Sequence, residues 1–344
     1  MKEIIKMSKP KKTILYTCVG GELSPYILQA IKNSKIKFSL VGIDSNSNAV
    51  GQHFCDFFYE SPMGNDVNYV EFIKDLCIKH SVDFIIPTSD EEAVAMSSSS
   101  DYLLPSKVLC VDEQTVKLFA NKADTFRALE DLKLPHPKWI QADNINDAIH
   151  AIKIFLSEFG SVVIKPSISR GSKNVYKYSL DKSRNQKDID VVLENANKDI
   201  KKAGEVFPII IMEELFGPVH DLDLLAFKGN PLGIFPRRRV NSDNPNEGHI
   251  ILNNQEFIDL GKNIIKKFKL SWLYDCDFMF NKNGEPVIIE INPRQSGSVA
   301  VVLAAGYNLI DALLELAMHN KTTAQLDITS SETKIIPYKN LTKA

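Results

Sequence analysis

Cysteine is scarce and unordered in this 344-residue chain: Cys18, Cys55, Cys77, Cys110 and Cys276 are the only five, and none stands in a CxxC pair or at metal-ligand spacing from histidine. That pattern excludes a disulfide framework or a zinc knuckle and suits free thiols in a reducing compartment. An excess of one charge is also missing. Lys plus Arg number 41 against 43 Asp plus Glu, a net charge of -2, so no overall field draws the chain to nucleic acid or to an anionic membrane. No run approaches the roughly 18 apolar residues of a membrane span, and MKEIIKMSKPKK at the start lacks a signal-type apolar core. A cytoplasmic protein acting on small molecules is expected. A complete dinucleotide loop is absent too, because Gly20-Gly21 runs into Glu22, Leu23, Ser24 and Pro25 instead of finishing GxGxxG. Asp44 sits where a ribose-binding acid would follow the second strand, yet Asp also simply ends strands and opens turns. No Ser/His/Asp or Cys/His constellation stands out: His136 lies between prolines and His249 follows Glu247-Gly248.

What is present is a folded chain, 44% hydrophobic and long enough for two or three packed units. TILYTCVGG, SPYILQAIKNS and FSLVGIDSN read as strand, helix and strand, which predicts a right-handed parallel crossover. YVEFIKDLCIKHSV and DFIIPTSDEEAVAMSS repeat the order, giving an open α/β domain over residues 1–112. TVKLFANKADTFRALEDLKL is helical with an interruption near Asn121 and Lys122, and PHPKW breaks it. INDAIHAIKIFLSEF (helix), SVVIKPS (strand) and the charge-rich helical stretch 181–205, read most simply as a solvated face, make residues 113–210 a small α+β unit. From Phe207 strands dominate, so 211–330 forms a β-rich unit followed by a tail, 331–344.

The sharpest local signal is a hairpin. Asn283-Gly284 between two β-type runs predicts a two-residue type I′ turn, in which Lys282 pairs with Glu285. Counting outward sets Asp277 opposite Glu290 and Asp275 opposite Asn292, all on one face. Opposed carboxylates stand with Cβ atoms roughly 4.5–5.5 Å apart and repel unless neutralised. Two readings remain open at this point. Either a divalent cation with hard oxygen ligands, Mg²⁺ or Mn²⁺, lies between them, or Asp277 faces solvent and Glu290 pairs with a basic side chain.

These residues resemble a family. IIEINPRQSGS preceded by CDFMF, IKPSISRGSKNV and IMEELFGP look like the ATP-grasp fold, closest to the carbamoyl-phosphate-synthase-like branch of carboxylate-activating ligases. IIPTSDEEAVAMSS and ANKADTFRALEDLKLPHPKW extend the likeness over nearly the whole chain. The resemblance implies an α/β (α+β) fold with an N-terminal pre-ATP-grasp domain. It assigns Asp277, Glu290 and Asn292 as ligands of two Mg²⁺ ions. Lys122 and Lys165 become phosphate-binding lysines, Glu213, Glu214 and Leu215 the adenine-holding linker, and Gly171 with Ser172 the phosphate-covering loop. Val219 stands where relatives carry a ribose-binding acid, so His220 or Asp223 is the expected substitute.

The implied chemistry is phosphoryl transfer from ATP to a substrate carboxylate, giving an acyl phosphate that an amine then attacks. Arg294 has the planar fork for an oxyanion, and the likeness puts Arg237 and Arg239 of PRRRV near the acyl substrate. A basic surface strand is the plainer reading of PRRRV, a rim-seeking lysine that of Lys165, and an edge strand with an exposed acid that of Glu213-Glu214. A kinase-like phosphotransferase and a non-catalytic MgATP-binding protein are the alternatives to a ligase. A homodimer through the first domain is a further expectation from the family.

Overall fold

The computed structural model of the chain describes residues 12–168, 174–180, 186–204, 206–324, 326–340 and 342. Contacts divide the chain into two compact units, one gathering Met1–Val116, Leu222–Asp275 and Asn292–Ala344, the other Lys117–Asp221 and Cys276–Ile291. This division cuts across the consecutive blocks suggested by the sequence.

The first unit opens with β1 (Lys12–Tyr16), α1 (Ser24–Asn33), β2 (Phe38–Asp44), β3 (Phe57–Glu60), α2 (Tyr69–His80), β4 (Phe84–Ile86), α3 (Asp90–Ser97) and β5 (Lys107–Val108). The sheet order is β3-β2-β1-β4-β5, and β1 pairs in parallel with both β2 and β4, as the crossover requires. Alternation along the strands decides which helix each face meets. Ile14, Tyr16, Leu40 and Ile86 join Ile27, Leu28 and Ile31 of α1 in one hydrophobic cluster. Leu15, Val41, Ile43 and Ile85 join Tyr69, Ile73 and Leu76 of α2 in another. The turn after β1 closes on its own acid: the Gly20 N–H donates to Asp44 Oδ2 at 2.7 Å, and a Cβ on Gly20 would stand 2.9 Å from that oxygen. Asp44 thus clamps the loop, the structural alternative to a ribose contact.

A helix follows in two pieces, α4 (Glu113–Ala120) and α5 (Lys122–Asp131). The break at Asn121 is a cap, its Oδ1 accepting from the amides of Ala123 and Asp124 at 3.0 and 3.4 Å.

The second unit continues with β6 (Trp139–Ala142), α6 (Ile145–Phe159), β7 (Ser161–Pro166), β8 (Tyr176–Ser179), α7 (Gln186–Lys202) and β9 (Ile209–Met212). Its sheet is antiparallel, ordered β6-β9-β7-β8. Ile152, Phe155 and Leu156 of α6 pack with Val162, Ile164, Ile209 and Ile211, and α7 adds Ile189, Ala196 and Ile200. The charge-rich helix is therefore no purely solvated face, since Ile189, Ala196 and Ile200 are buried, with Val192 and Leu193 half-buried between them.

The remainder comprises β10 (Phe216–Phe227), β11 (Asn230–Arg239), β12 (His249–Leu252), α8 (Gln255–Phe268), β13 (Trp272–Phe280), β14 (Pro286–Asn292), α9 (Ala300–Ala304), α10 (Leu309–His319) and β15 (Glu332–Ile335). The strands are ordered β14-β13-β10-β11-β12-β15, and the chain changes unit within β10, β13 and at the end of β14. The tail expected after residue 330 supplies β15, with Ile335 paired to His249. Helix α8 buries Phe257, Leu260, Ile264 and Ile265 in one stripe, and Gly261 permits close approach: a Cβ there would meet Ile234 at 2.8 Å and Leu224 at 2.9 Å. Among the described residues no helix is long and apolar enough to cross a membrane.

Candidate active site

The β13–β14 turn differs from the expected one. Gly284 N–H donates to Asn281 O and Asn281 N–H to Glu285 O, both at 3.0 Å, which encloses three residues, Lys282 to Gly284, and of these only Gly284 has positive φ, +80°. The side chain of Asn281 decides the outcome, its Oδ1 accepting from the amides of Asn283 and Glu285 at 2.9 and 3.1 Å. Lys282 and Glu285 are therefore not the closing pair. Asp275 lies six residues before Asn281, whereas Asn292 lies seven after Glu285. Even so, Asn292 Nδ2 donates to Asp275 Oδ2 at 3.1 Å, so the two side chains share a face. The shared face of Asp275 and Asn292 thus survives the error in the turn.

Within the second unit, two lysines meet two carboxylates. Lys122 opens α5 with its Nζ 3.0 Å from Glu290 Oε2, while its backbone N–H donates to Ser167 O at 2.9 Å. Lys165, on β7, is 8% exposed and holds its ammonium 5.0 Å over the ring of Phe126. Burial, then repulsion from Lys122, pulls its pKa down to about 8 against the opposing attraction of Glu290 and Asp277. Asp221 of β10, 1% exposed, offers a carboxylate oxygen within 4.8 Å of one from Asp277. Sequence reasoning passed over Asp221, although HDLDLL alternates two acids onto one strand face.

The linker after β9 is more engaged than expected. Glu213 Oε1 accepts from Lys138 N–H at 2.7 Å, and Glu213 N–H donates to Lys138 O at 3.0 Å, so this buried acid is fastened to the strand beside it. Glu214 pairs with Lys177, and Leu215 is half-buried. His220 is buried with its ring 4.9 Å from Phe278 and 5.2 Å from Phe280, its Nδ1 2.9 Å from Pro218 O. Gly171 and Ser172 lie outside the described residues.

In the first unit the arginines separate. Alternation sets Arg237 with Arg239 toward a substrate, but Arg237 is wholly buried. Its Nε meets Asp223 Oδ2 at 2.6 Å, and its Nη1 donates to His249 Nδ1 and Ser298 Oγ, each at 3.0 Å. His249 Nε2 in turn donates to Pro245 O at 2.7 Å. Arg237, expected beside the acyl substrate, and Asp223, expected at the ribose, are thus placed as interior partners, a buried guanidinium held beside a carboxylate. Arg239 is half-buried opposite His249. Arg294 remains at the rim, with Nε 3.1 Å from Asp90 Oδ1 and Nη1 3.3 Å from Asp275 Oδ2. The loop carrying it is anchored from below. Gln295 Nε2 donates to the Tyr16 hydroxyl, and the Ser296 and Ser298 hydroxyls bond at 2.8 Å.

Residues 205–340 match a family model described as ATP-grasp in the biosynthetic pathway with Ter operon, and residues 14–111 match one described as PylC-like, N-terminal domain. The two models match separate parts of the chain, and the fold is that of ATP-grasp proteins. The order of the two matches along the chain is PylC-like first and ATP-grasp second. No curated protein matches the chain. Among solved structures, the biotin carboxylase domain of Hydrogenobacter thermophilus 2-oxoglutarate carboxylase, a dimer in complex with MgADP, ADP and bicarbonate, is 17% identical with a TM-score of 0.69, covering 92% of this chain and 71% of that one. N5-carboxyaminoimidazole synthetase from Staphylococcus aureus is 16% identical with a TM-score of 0.68, covering 90% and 78%. L-amino acid ligase from Bacillus licheniformis is 14% identical with a TM-score of 0.65, covering 91% and 75%. At these identities the likeness establishes the fold.

Proposed function

We propose that the chain is an ATP-dependent, ADP-forming ligase that activates a small-molecule carboxylate as its acyl phosphate and joins it to an amine. The observation that carries this reading is the cluster of Lys122 and Lys165 with Asp277 and Glu290, two buried cations facing two carboxylates in one unit. Such an arrangement is poised for polyphosphate and a divalent cation together, since each lysine is largely withdrawn from solvent and each acid is a hard oxygen donor. The donor set of this unit, Asp277 and Glu290 with Asp221 beside Asp277, fits Mg²⁺ or Mn²⁺, and the family likeness adds Asn292 as a holding residue. When bound, the ions supply charge neutralisation on the phosphates.

The protein's own part is positioning. Lys165 and Lys122 orient the phosphates of ATP, and Arg294, with its fork fixed by Asp90 and Asp275, meets the oxyanion of the transferring phosphoryl group or the carboxylate. The carboxylate oxygen attacks the γ-phosphorus, ADP leaves, and the amine then displaces phosphate from the acyl carbon, its proton passing to solvent. The linker Glu213 to Leu215 borders the adenine. A dimer, as in the Hydrogenobacter domain, is proposed for this chain as well and is read by sedimentation.

The test is an ADP-release screen over carboxylates and amines with hydroxylamine added. Carboxylate-dependent ADP with a trapped hydroxamate supports the ligase; a stable phosphorylated product with no hydroxamate, or no turnover with any acid, overturns it.

A further inference from the structure

Asp275 is the one acid of β13 not assigned to the cation, yet it is 5% exposed and touches both Asn292 and Arg294. Its Oδ2 accepts from Asn292 Nδ2 at 3.1 Å and from Arg294 Nη1 at 3.3 Å, and its Oδ1 lies 3.8 Å from Arg237 Nη2. These partners belong to a single compact unit, so the arrangement is internal to it. A carboxylate flanked by two guanidinium groups only accepts hydrogen bonds. Whatever Asn292 turns toward Asp275 must then be its NH₂, and its carbonyl oxygen is left pointing the other way.

We propose that Asp275 is a positioning residue: it sets the carboxamide of Asn292 so that Oδ1 is the atom presented to a divalent cation, and it ties that choice to Arg294. The inference rests on the metal-nucleotide reading above. A free asparagine side chain rotates between two nearly isosteric orientations, and only one offers a ligand oxygen. Partners behind a metal ligand commonly matter by roughly 10- to 100-fold in metal affinity. Charge balance supports a dedicated role. Arg237 already has Asp223 at 2.6 Å and Arg294 already has Asp90 at 3.1 Å, so neither arginine depends on Asp275 alone.

The experiment is a double-mutant cycle on Mn²⁺ affinity, read by electron paramagnetic resonance with a non-hydrolysable ATP analogue, for wild type, D275A, N292A and D275A/N292A. D275V, closer in volume and suited to a strand, runs beside D275A, and thermal unfolding of each variant is recorded. D275A is expected to weaken Mn²⁺ roughly tenfold or more in the wild-type background and by less than about twofold once N292A is present, because the effect passes through that amide. Equal losses in both backgrounds overturn the proposal, as does unchanged affinity in D275A. Failure of both D275A and D275V to fold makes Asp275 a structural residue and also overturns it. Absence of Mn²⁺ binding by the wild type sinks the ligase reading itself, and this inference with it.

Discussion

Replacing Lys165 by methionine should stabilise the nucleotide-free protein while removing its grip on ATP. Lys165 holds a pKa of about 8 where an ordinary lysine sits at 10.5, mainly because it is buried and secondarily because Lys122 repels it. Between these values the unfolded chain binds more protons than the folded one, so stability rises with pH across that window. Below pH 8 the folded protein carries the full cost of a buried ammonium, roughly 3 kcal/mol from the tenfold-per-unit conversion. Methionine fills similar length without charge but forgoes the contact with Phe126, worth about 1 kcal/mol. The expected gain in urea unfolding at pH 7 is therefore roughly 2 kcal/mol, shrinking above pH 8 and gone near the ordinary lysine value. A parallel titration should find nucleotide affinity severely reduced. A K165M protein that is less stable at pH 7, or whose gain is the same at pH 7 and pH 10, would refute the idea that a buried, destabilised ammonium is stored at this site.

Glu290→Gln should leave a folded protein, since that side chain is 30% exposed, and remove most ADP formation; turnover near that of the wild type in a coupled assay contradicts the metal assignment. Arg294→Ala should lower kcat far more than it weakens ATP binding, and equal losses in kinetics and calorimetry would move Arg294 from chemistry to scaffolding. Asp223→Ala strands the fully buried Arg237 without its 2.6 Å partner and should cost about 3–5 kcal/mol in thermal or urea unfolding, whereas a loss under about 1 kcal/mol would mean the neighbouring acid substitutes.

The elements of the site were readable in the chain where periodicity and punctuation agree. The strand-helix order through Ser97, the break at Asn121 and the strand ending in Glu290 and Asn292 all follow from alternation, capping and apolar runs. The turn was not, because Asn-Gly favours a two-residue loop only when no neighbour competes, and the Asn281 side chain competes. Its error was harmless at the site because Asn292 still meets Asp275, a contact that the spacing from the turn does not reveal. Arg237 shows a second limit. Alternation places three consecutive arginines on faces, but which face is core depends on Asp223, His249 and Ser298 arriving from other strands and loops. Asp221 was hidden for the same reason, since its closeness to Asp277 is a cross-strand fact. Helix α8 had a clear stripe in QEFIDLGKNIIKKF, and the β-rich surroundings drew the reading away from it.

The packing of α1 has a bearing on how the chain is made. Ile27, Leu28 and Ile31 share a hydrophobic cluster with Val301, Leu309 and Leu313, and α1 packs against both α9 and α10. Partners so far apart in sequence leave the ribosome tens of seconds apart at ordinary elongation rates of roughly 5–20 residues per second. Throughout that interval the early α/β segment displays a bare apolar flank, an invitation to chaperones and to aggregation alike. A fragment ending at residue 112 should accordingly bind 1-anilinonaphthalene-8-sulfonate strongly and associate, and a monomeric fragment with no dye binding would show that the flank is covered some other way. For the same reason this protein reaches its finished form late, with its first-made part among the last to be sealed.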